Sequence, residues 1–145
     1  MEATLDTTAV QELAERYGEA WNARDVDTIL SLHTDDSVFQ LHVAGAGEVV
    51  GKAAIRETFA GFIAQFPDLH FAGVRLQVGE SHWAGEAKMS GTAASPLAID
   101  GQALEAEGAR LEIDCVDVIA VRDGLIARKD TYLDAAALMR ATGAA

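Results

Sequence analysis

The sequence has a single cysteine, Cys115, and few basic residues, and these shortages exclude several classes of protein. One cysteine cannot form an intrachain disulfide, which is typical of proteins of the reducing cytoplasm. Lysine and arginine together number 11 against 23 acidic residues, giving a net charge of −12. Such a chain repels phosphate backbones and anionic lipids. We therefore expect a cytoplasmic protein that binds neither nucleic acid nor membrane surfaces.

Long hydrophobic runs and the common catalytic signatures are also missing. No apolar stretch approaches the roughly 18 residues of a membrane-spanning helix. The opening MEATLDTT has no basic residue and no apolar core, which excludes a secretory signal. No histidines have the spacing H-x-H or HExxH, and no Gly-x-Ser-x-Gly occurs. The sequence therefore predicts no metal, no other cofactor and no covalent nucleophile.

The hydrophobic residues that are present predict helices first and strands afterwards, in a single domain over 1–145. Apolar spacings of three and four predict a helix with a capping box at Thr8, a second helix capped by Asp25 that includes His33, and a third that stops before Pro67. Alternating or β-branched segments predict strands over 37–43, 69–78, 82–92, 110–122 and 125–133. Asp134 is expected to cap a last short helix, and 93–109 reads as a connection that partly extends its neighbours.

This order of elements is typical of an α+β domain. We predict a cone-shaped, curved antiparallel or mixed sheet, with three helices from the N-terminal half packed on its concave face. One apolar pocket should lie beneath the helices. The opposite sheet face carries Val116, Val118 and Ala120, which need cover, so we expect a homodimer formed through that face.

One acidic residue interrupts an apolar row on the strand predicted over 110–122. Alternate side chains of a strand point to opposite faces, so the odd positions form one row: Leu111, Ile113, Cys115, Asp117, Ile119 and Val121. Five of these are apolar, and Asp117 is a carboxylic acid. A carboxylate that faces a core loses its hydration, and chains rarely tolerate this unless the group is paired or used. Asp117 therefore marks the predicted pocket.

Three segments carry a resemblance to a known family. They are ERYGEAWNARDVDTILSLHTDDSVF, GKAAIRETF and DVIAVRDGLIARKDTYLD. Together with the order of elements, they resemble the nuclear transport factor 2-like superfamily and, within it, the SnoaL-like branch. The resemblance covers nearly the whole chain. It implies the cone-shaped fold, which hosts isomerases, cyclases, hydrolases and pure binding domains, and so it does not by itself give an activity.

The resemblance implies roles for a few positions. In ketosteroid isomerases, a tyrosine and a protonated acid form an oxyanion hole, and these two positions fall on Tyr17 and Asp117. The general base of those enzymes falls on Leu41, and leucine cannot move a proton. In SnoaL-type polyketide cyclases, an aspartate and a histidine act together, and these positions match Thr131 and Asp117.

The neighbour of Asp117 on the next strand depends on the turn at Asp123-Gly124. A two-residue turn places Asp117 opposite Asp130, and a three-residue loop with a glycine bulge places it opposite Lys129. Two adjacent carboxylates favour acid–base chemistry. A carboxylate beside an ammonium forms a partly buried ion pair. The sequence leaves both arrangements open.

The functional hypothesis is proton transfer on a small, largely apolar carbonyl compound such as a polyketide or steroid-like molecule. Asp117 and Tyr17 would polarise the carbonyl oxygen, and the base would be Asp130, if the turn places it inward, or His33. The side chains expected to contact the substrate are Trp21, His33, Leu41, Phe59, Lys129 and Thr131. The alternatives are a non-catalytic domain that binds a hydrophobic ligand, in which Asp117 and Lys129 only orient it, and a dimerisation domain with a filled core.

Overall fold

The computed structural model describes residues 7–43, 46–99 and 102–142. The helices are α1 (Thr8–Asn22), α2 (Val26–Ser31), α3 (Lys52–Gln65) and α4 (Ala135–Ala141). The strands are β1 (His33–His42), β2 (Glu48–Val50), β3 (His70–Val78), β4 (His82–Thr92), β5 (Leu97–Ile99), β6 (Gln102–Leu104), β7 (Arg110–Arg122) and β8 (Leu125–Leu133). The predicted bounds of β4, β7 and β8 are confirmed, whereas β2 and the β5–β6 hairpin were not predicted.

Six strands form one curved sheet in the order β2-β1-β8-β7-β4-β3, and β5 and β6 pair separately. The β1–β8 pair is parallel and the other pairs of the sheet are antiparallel, so the sheet is mixed. Helix α1 packs on β3 and β4, and α3 packs on β1. The predicted α+β class, with helices on one face of a curved sheet, is confirmed. No helix in the described part of the chain is both long and apolar enough to cross a membrane.

Two of the three predicted helix caps are confirmed. The side chain of Asp25 accepts a hydrogen bond from the backbone N–H of Thr28, and Asp134 caps α4 in the same way. The predicted capping box at Thr8 is wrong, because Thr8 is already the first helical residue and the preceding Thr7 makes no capping bond with its side chain.

His33 lies in β1 and not at the end of α2, which corrects the helix predicted through this residue. Helix α2 ends at Ser31, and the backbone N–H of Ile126 then donates to the carbonyl of Leu32 at 2.8 Å. This bond draws the chain into the sheet, where His33 pairs with Ile126. His33 is fully buried there, so it belongs to the inner layer beneath the helices.

Candidate functional site

The inner face of the sheet holds a row of four neighbouring residues on four adjacent strands. They are Leu41 on β1, Thr131 on β8, Asp117 on β7 and Gly85 on β4. The apolar positions of β7 on either side, Cys115 and Ile119, are buried as the alternation predicts. Asp117 itself keeps 27% of its side chain exposed. The strand pattern thus turns one carboxylate into a mostly apolar layer and leaves it accessible.

Neither predicted cross-strand partner of Asp117 is correct, because the residue opposite it on β8 is Thr131, but the partly buried ion pair expected with Lys129 does form. Asp123 and Gly124 both have positive φ, as a two-residue turn of the hairpin type requires. The register then shifts, since Val121 pairs with Ile126 but Ala120 pairs with Arg128. Ala127 is therefore an extra residue, and this bulge moves every later pair by one position. The hydroxyl of Thr131 donates to Asp117 Oδ1 at 2.5 Å.

The same bulge places Asp130 on the outer face of the sheet. Asp130 pairs with Val118, and its carboxylate accepts hydrogen bonds from Arg128 Nε and His42 Nε2, each at 2.8 Å. These bonds hold the pKa of Asp130 below its usual value, with the bond from Arg128 as the main cause. The structure does not bring Asp130 together with Asp117, so the condition for Asp130 to act as a base is not met.

Lys129 points inward and is only 5% exposed. Its Nζ lies 3.8 Å from Asp117 Oδ2 and donates to the Tyr17 hydroxyl at 3.3 Å. The ammonium also lies 4.5 Å from the Trp21 ring centroid and 5.2 Å from that of Phe59. Burial is the largest single effect and lowers the pKa of Lys129, but Asp117, Tyr17 and Cys115 together outweigh it, so the pKa is raised. Aromatic faces further favour the cation. Lys129 is a buried, protonated group at physiological pH.

Tyr17 links Lys129 to His33 through hydrogen bonds. The Tyr17 oxygen accepts from Lys129 and lies 2.9 Å from His33 Nε2, and His33 Nδ1 lies 3.3 Å from Ser37 Oγ. The tautomer of the neutral imidazole sets which group donates in these last two bonds. Tyr17, His33 and Ser37 form a buried relay. Ser37 was not among the predicted site residues, and no pattern in the sequence distinguishes it.

The ionisation of this relay is suppressed by burial. Burial, reinforced by Lys129 and Lys52, lowers the pKa of His33 to about 3. Burial also raises the pKa of Tyr17 and outweighs the opposite effect of Lys129. Both groups are therefore neutral at pH 7. His33 lies behind Tyr17 and does not line the cavity described below.

An apolar cavity of about 400 Å³ opens beside the ion pair. Asp117, Lys129 and Thr131 line it together with Trp21, Leu41 and Phe59. The remaining lining residues are mostly apolar and include Phe39, Phe62, Phe71, Met89, Leu97 and Leu138. A volume of this size suits a small organic molecule. Among the described residues, no three His, Cys, Asp or Glu side chains cluster closely enough to hold a metal ion.

Comparison with known proteins identifies the family. Residues 14–129 match the SnoaL-like domain. The chain belongs to the SnoaL-like family. No curated protein sequence matches the chain.

Several solved structures share the fold of this SnoaL-like chain. A putative SnoaL-like polyketide cyclase from Jannaschia sp. CCS1 has a TM-score of 0.79 at 19% identity, covering 100% of this chain and 98% of that chain. TsrD from Streptomyces laurentii has a TM-score of 0.78 at 22% identity, covering 98% and 100%. A hypothetical protein with a ketosteroid isomerase-like fold from Catenulispora acidiphila, solved with trimethylamine, has a TM-score of 0.72 at 17% identity, covering 91% of this chain and 92% of that chain. At these identities the likeness shows the fold alone.

Proposed function

We propose that the cavity binds a small, largely apolar carbonyl compound and catalyses proton transfer at the carbon next to the carbonyl. The observation that carries this proposal is the placement of Asp117 and Lys129 on one side of an otherwise apolar cavity. Their charged atoms are 3.8 Å apart, which is longer than a hydrogen bond. A ligand oxygen therefore approaches the Lys129 ammonium without first breaking a hydrogen bond to Asp117.

The two groups of the pair take different roles in this reaction. Asp117 removes a proton from the α-carbon, so the C–H bond breaks and an O–H bond forms on the carboxylate. The electron pair of the C–H bond moves into the carbon–carbon bond of an enolate, and negative charge develops on the carbonyl oxygen. The Lys129 ammonium stabilises that oxygen. Returning the proton from Asp117 to carbon completes the transfer.

These roles differ from those that the resemblance to ketosteroid isomerases implies. Leucine occupies the position of the base of those enzymes, at Leu41. The Tyr17 hydroxyl is hydrogen-bonded to His33 and is thereby engaged away from the cavity, while Thr131 donates a hydrogen bond to Asp117 and the Lys129 ammonium lies 3.8 Å from it. We infer that Lys129 replaces the oxyanion donors and that Asp117 is the base. Tyr17 and His33 then position Lys129.

The proposal predicts exchange of α-protons with solvent in a simple probe ketone, 2-tetralone. Proton NMR in D₂O measures the loss of the α-proton signals with and without protein. We expect the protein to accelerate exchange, and Asp117→Asn to lower the protein-dependent rate by at least about 100-fold, the usual contribution of a positioned base. Binding of tetralin, which has the same rings without the oxygen, should be weaker than that of 2-tetralone.

A matched control is available on the same strand. Asp114 lies three residues from Asp117 on the outer face, where it pairs with Lys88. Asp114→Asn should leave exchange unchanged. Thr131→Val, which removes the hydrogen bond that orients Asp117, provides a second test should Asp117→Asn unfold. An exchange rate that survives both Asp117→Asn and Thr131→Val in folded protein would contradict the proposal.

A non-catalytic binding domain is the second candidate. It is favoured by the contacts that already engage the pair, because Thr131 and Lys129 both hold Asp117. In that case the pair only orients the ligand. Wild-type protein that binds 2-tetralone but does not accelerate exchange would support this candidate over catalysis.

We also propose that a second copy of the chain covers the outer sheet face. Val118 is 43% exposed there and Tyr132 is 46% exposed, close to Val116 and Ala120 on the same face. The prediction is that wild-type protein sediments as a dimer and that Val118→Lys shifts it to monomer, because two buried lysines would face each other across a symmetric contact. Sedimentation of a monomeric wild type would overturn this.

A further inference from the structure

A second opening, of about 460 Å³, lies between α1 and the β3–β4 pair. It shares Trp21, Phe71, Asp117 and Lys129 with the apolar cavity. The Asp117–Lys129 ion pair therefore borders both openings. We call this second opening the α1 groove. Glu15, Glu19, Arg75 and Glu86 also line it, so its lining is more polar than that of the cavity.

Three glycines line the α1 groove, one on each element that forms it: Gly18 on α1, Gly73 on β3 and Gly85 on β4. None of them has a positive φ. A Cβ atom would meet nothing within 4 Å at Gly18 or Gly73, and only ordinary contacts of 3.8–3.9 Å at Gly85. Glycine inside a helix or strand destabilises the fold relative to alanine. Neither backbone conformation nor crowding calls for these glycines, and what they provide is open space.

Gly85 has a particular position, because it is the direct cross-strand partner of Asp117. Side chains of directly opposed residues stand side by side on one face of a sheet. Any larger residue at Gly85 would fill the place next to the carboxylate on the side of α1. The missing side chain therefore gives the α1 groove its access to Asp117.

An independent observation concerns a buried polar group where the α1 groove and the apolar cavity meet. The indole N–H of Trp21 is buried and makes no hydrogen bond of normal geometry among the described residues, although it lies near enough to the Tyr17 hydroxyl to help lower the pKa of Tyr17. Trp21 is only 5% exposed and lines the groove beside Lys129. A buried donor without an acceptor is costly unless water or a ligand supplies one. A water molecule that enters from the α1 groove would supply an acceptor for this donor.

We propose that the α1 groove is the solvent entrance to the ion pair, by which water reaches Asp117 while the apolar cavity is occupied. This inference rests on the proposed proton transfer. The O–H formed on Asp117 exchanges its proton with a water molecule in the groove, and the carbon is then reprotonated with a solvent proton. Substrate and solvent therefore reach opposite sides of one carboxylate.

Tryptophan fluorescence tests access through the groove without reference to catalysis. The chain has two tryptophans, and Trp83 lines the α1 groove but not the apolar cavity. In a Trp21→Phe background, Trp83 is the single reporter, and acrylamide is the small neutral quencher. We expect Gly85→Val to lower the bimolecular quenching constant, obtained from lifetimes, severalfold.

Gly61→Val is the matched control for this substitution. Gly61 lies on α3 and lines neither opening, and a Cβ atom at this position would meet nothing within 4 Å. It should leave the quenching constant unchanged. A constant that is equal in the Gly85→Val and Gly61→Val proteins, or one already at the level of an inaccessible indole in the Trp21→Phe background, would overturn the groove as an entrance.

Proton NMR then tests whether the entrance carries the exchange. In otherwise wild-type protein, Gly85→Val should slow solvent exchange of 2-tetralone severalfold and leave its affinity unchanged. If quenching falls but exchange does not, solvent reaches Asp117 elsewhere and the inference is wrong. If the wild type shows no exchange at all, the proposed function and the solvent role fail together, and the quenching result then decides only whether the groove is open.

Discussion

Replacing Asp117 with Asn should destabilise the fold by about 3 kcal/mol at pH 7, since removing one partner of a buried ion pair strands the other. Lys129 is 5% exposed and would lose the carboxylate that sustains its charge. Asn keeps the shape of the side chain, so the loss reflects charge and not packing. Urea unfolding followed by circular dichroism gives the free energy of unfolding.

The pH dependence of this loss identifies Lys129 as its origin. In the wild type the pKa of Lys129 is raised, so its contribution to stability is fully present below the unfolded value of about 10.4 and is lost as pH rises from there through the folded pKa. Without Asp117, burial lowers that pKa, the folded state binds fewer protons than the unfolded state, and stability of the variant rises with pH. The difference in free energy of unfolding between the wild type and Asp117→Asn should therefore shrink between pH 7 and 9.5. A loss of stability in Asp117→Asn that does not change with pH would contradict a buried Asp117–Lys129 pair. A loss no larger than that caused by Asp114→Asn would contradict it as well.

Acid should destabilise this protein partly through His33. Its pKa is about 3 in the folded protein against an ordinary value of 6.5. Between these values the unfolded state binds more protons than the folded state, so stability falls as pH drops from about 6.5 to about 3. The whole shift corresponds to about 5 kcal/mol at about 1.4 kcal/mol per unit. Roughly 2–3 kcal/mol of this should be lost between pH 7 and pH 4.5.

His33→Gln isolates this contribution, because glutamine keeps an acceptor for Tyr17 and does not titrate. Protonation of carboxylates in acid lowers the stability of the wild type and of the variant equally. The difference between their losses of stability from pH 7 to 4.5 is therefore due to His33. Urea unfolding at pH 7 and 4.5 measures it. Equal losses in both proteins would mean that His33 is protonated in the fold or exposed to solvent.

The sequence was sufficient to predict the elements whose pattern is local. Alternation within β7 placed Asp117 on the inner row, and the turn residues Asp123-Gly124 bounded β7 and β8. The register between these strands was not predictable from the turn alone, because the bulge at Ala127 lies beyond the turn residues. One signal was available: Ile126 and Leu133 are both apolar, yet their separation of seven places them on opposite faces of a regular strand.

The inward orientation of Lys129 was one of two arrangements that the sequence left open, and the burial of His33 could not be predicted, for a related reason. Lys129 faces inward only because of the bulge, and His33 joins the sheet only because the parallel pairing with β8 draws the chain away from α2. Both effects depend on contacts between distant segments. Gly85 gave no signal of its own, since an isolated glycine in a strand acquires meaning only when its cross-strand partner is known.

A crystal structure of the protein with 2-tetralone bound tests the central proposal most directly. The ketone oxygen is predicted to lie within hydrogen-bonding distance of Lys129 Nζ, with an α-carbon next to the carboxylate of Asp117 and the rings among Trp21, Phe59 and Leu41. A ketone oxygen that points toward the mouth of the cavity, with the Asp117–Lys129 pair untouched, would contradict it.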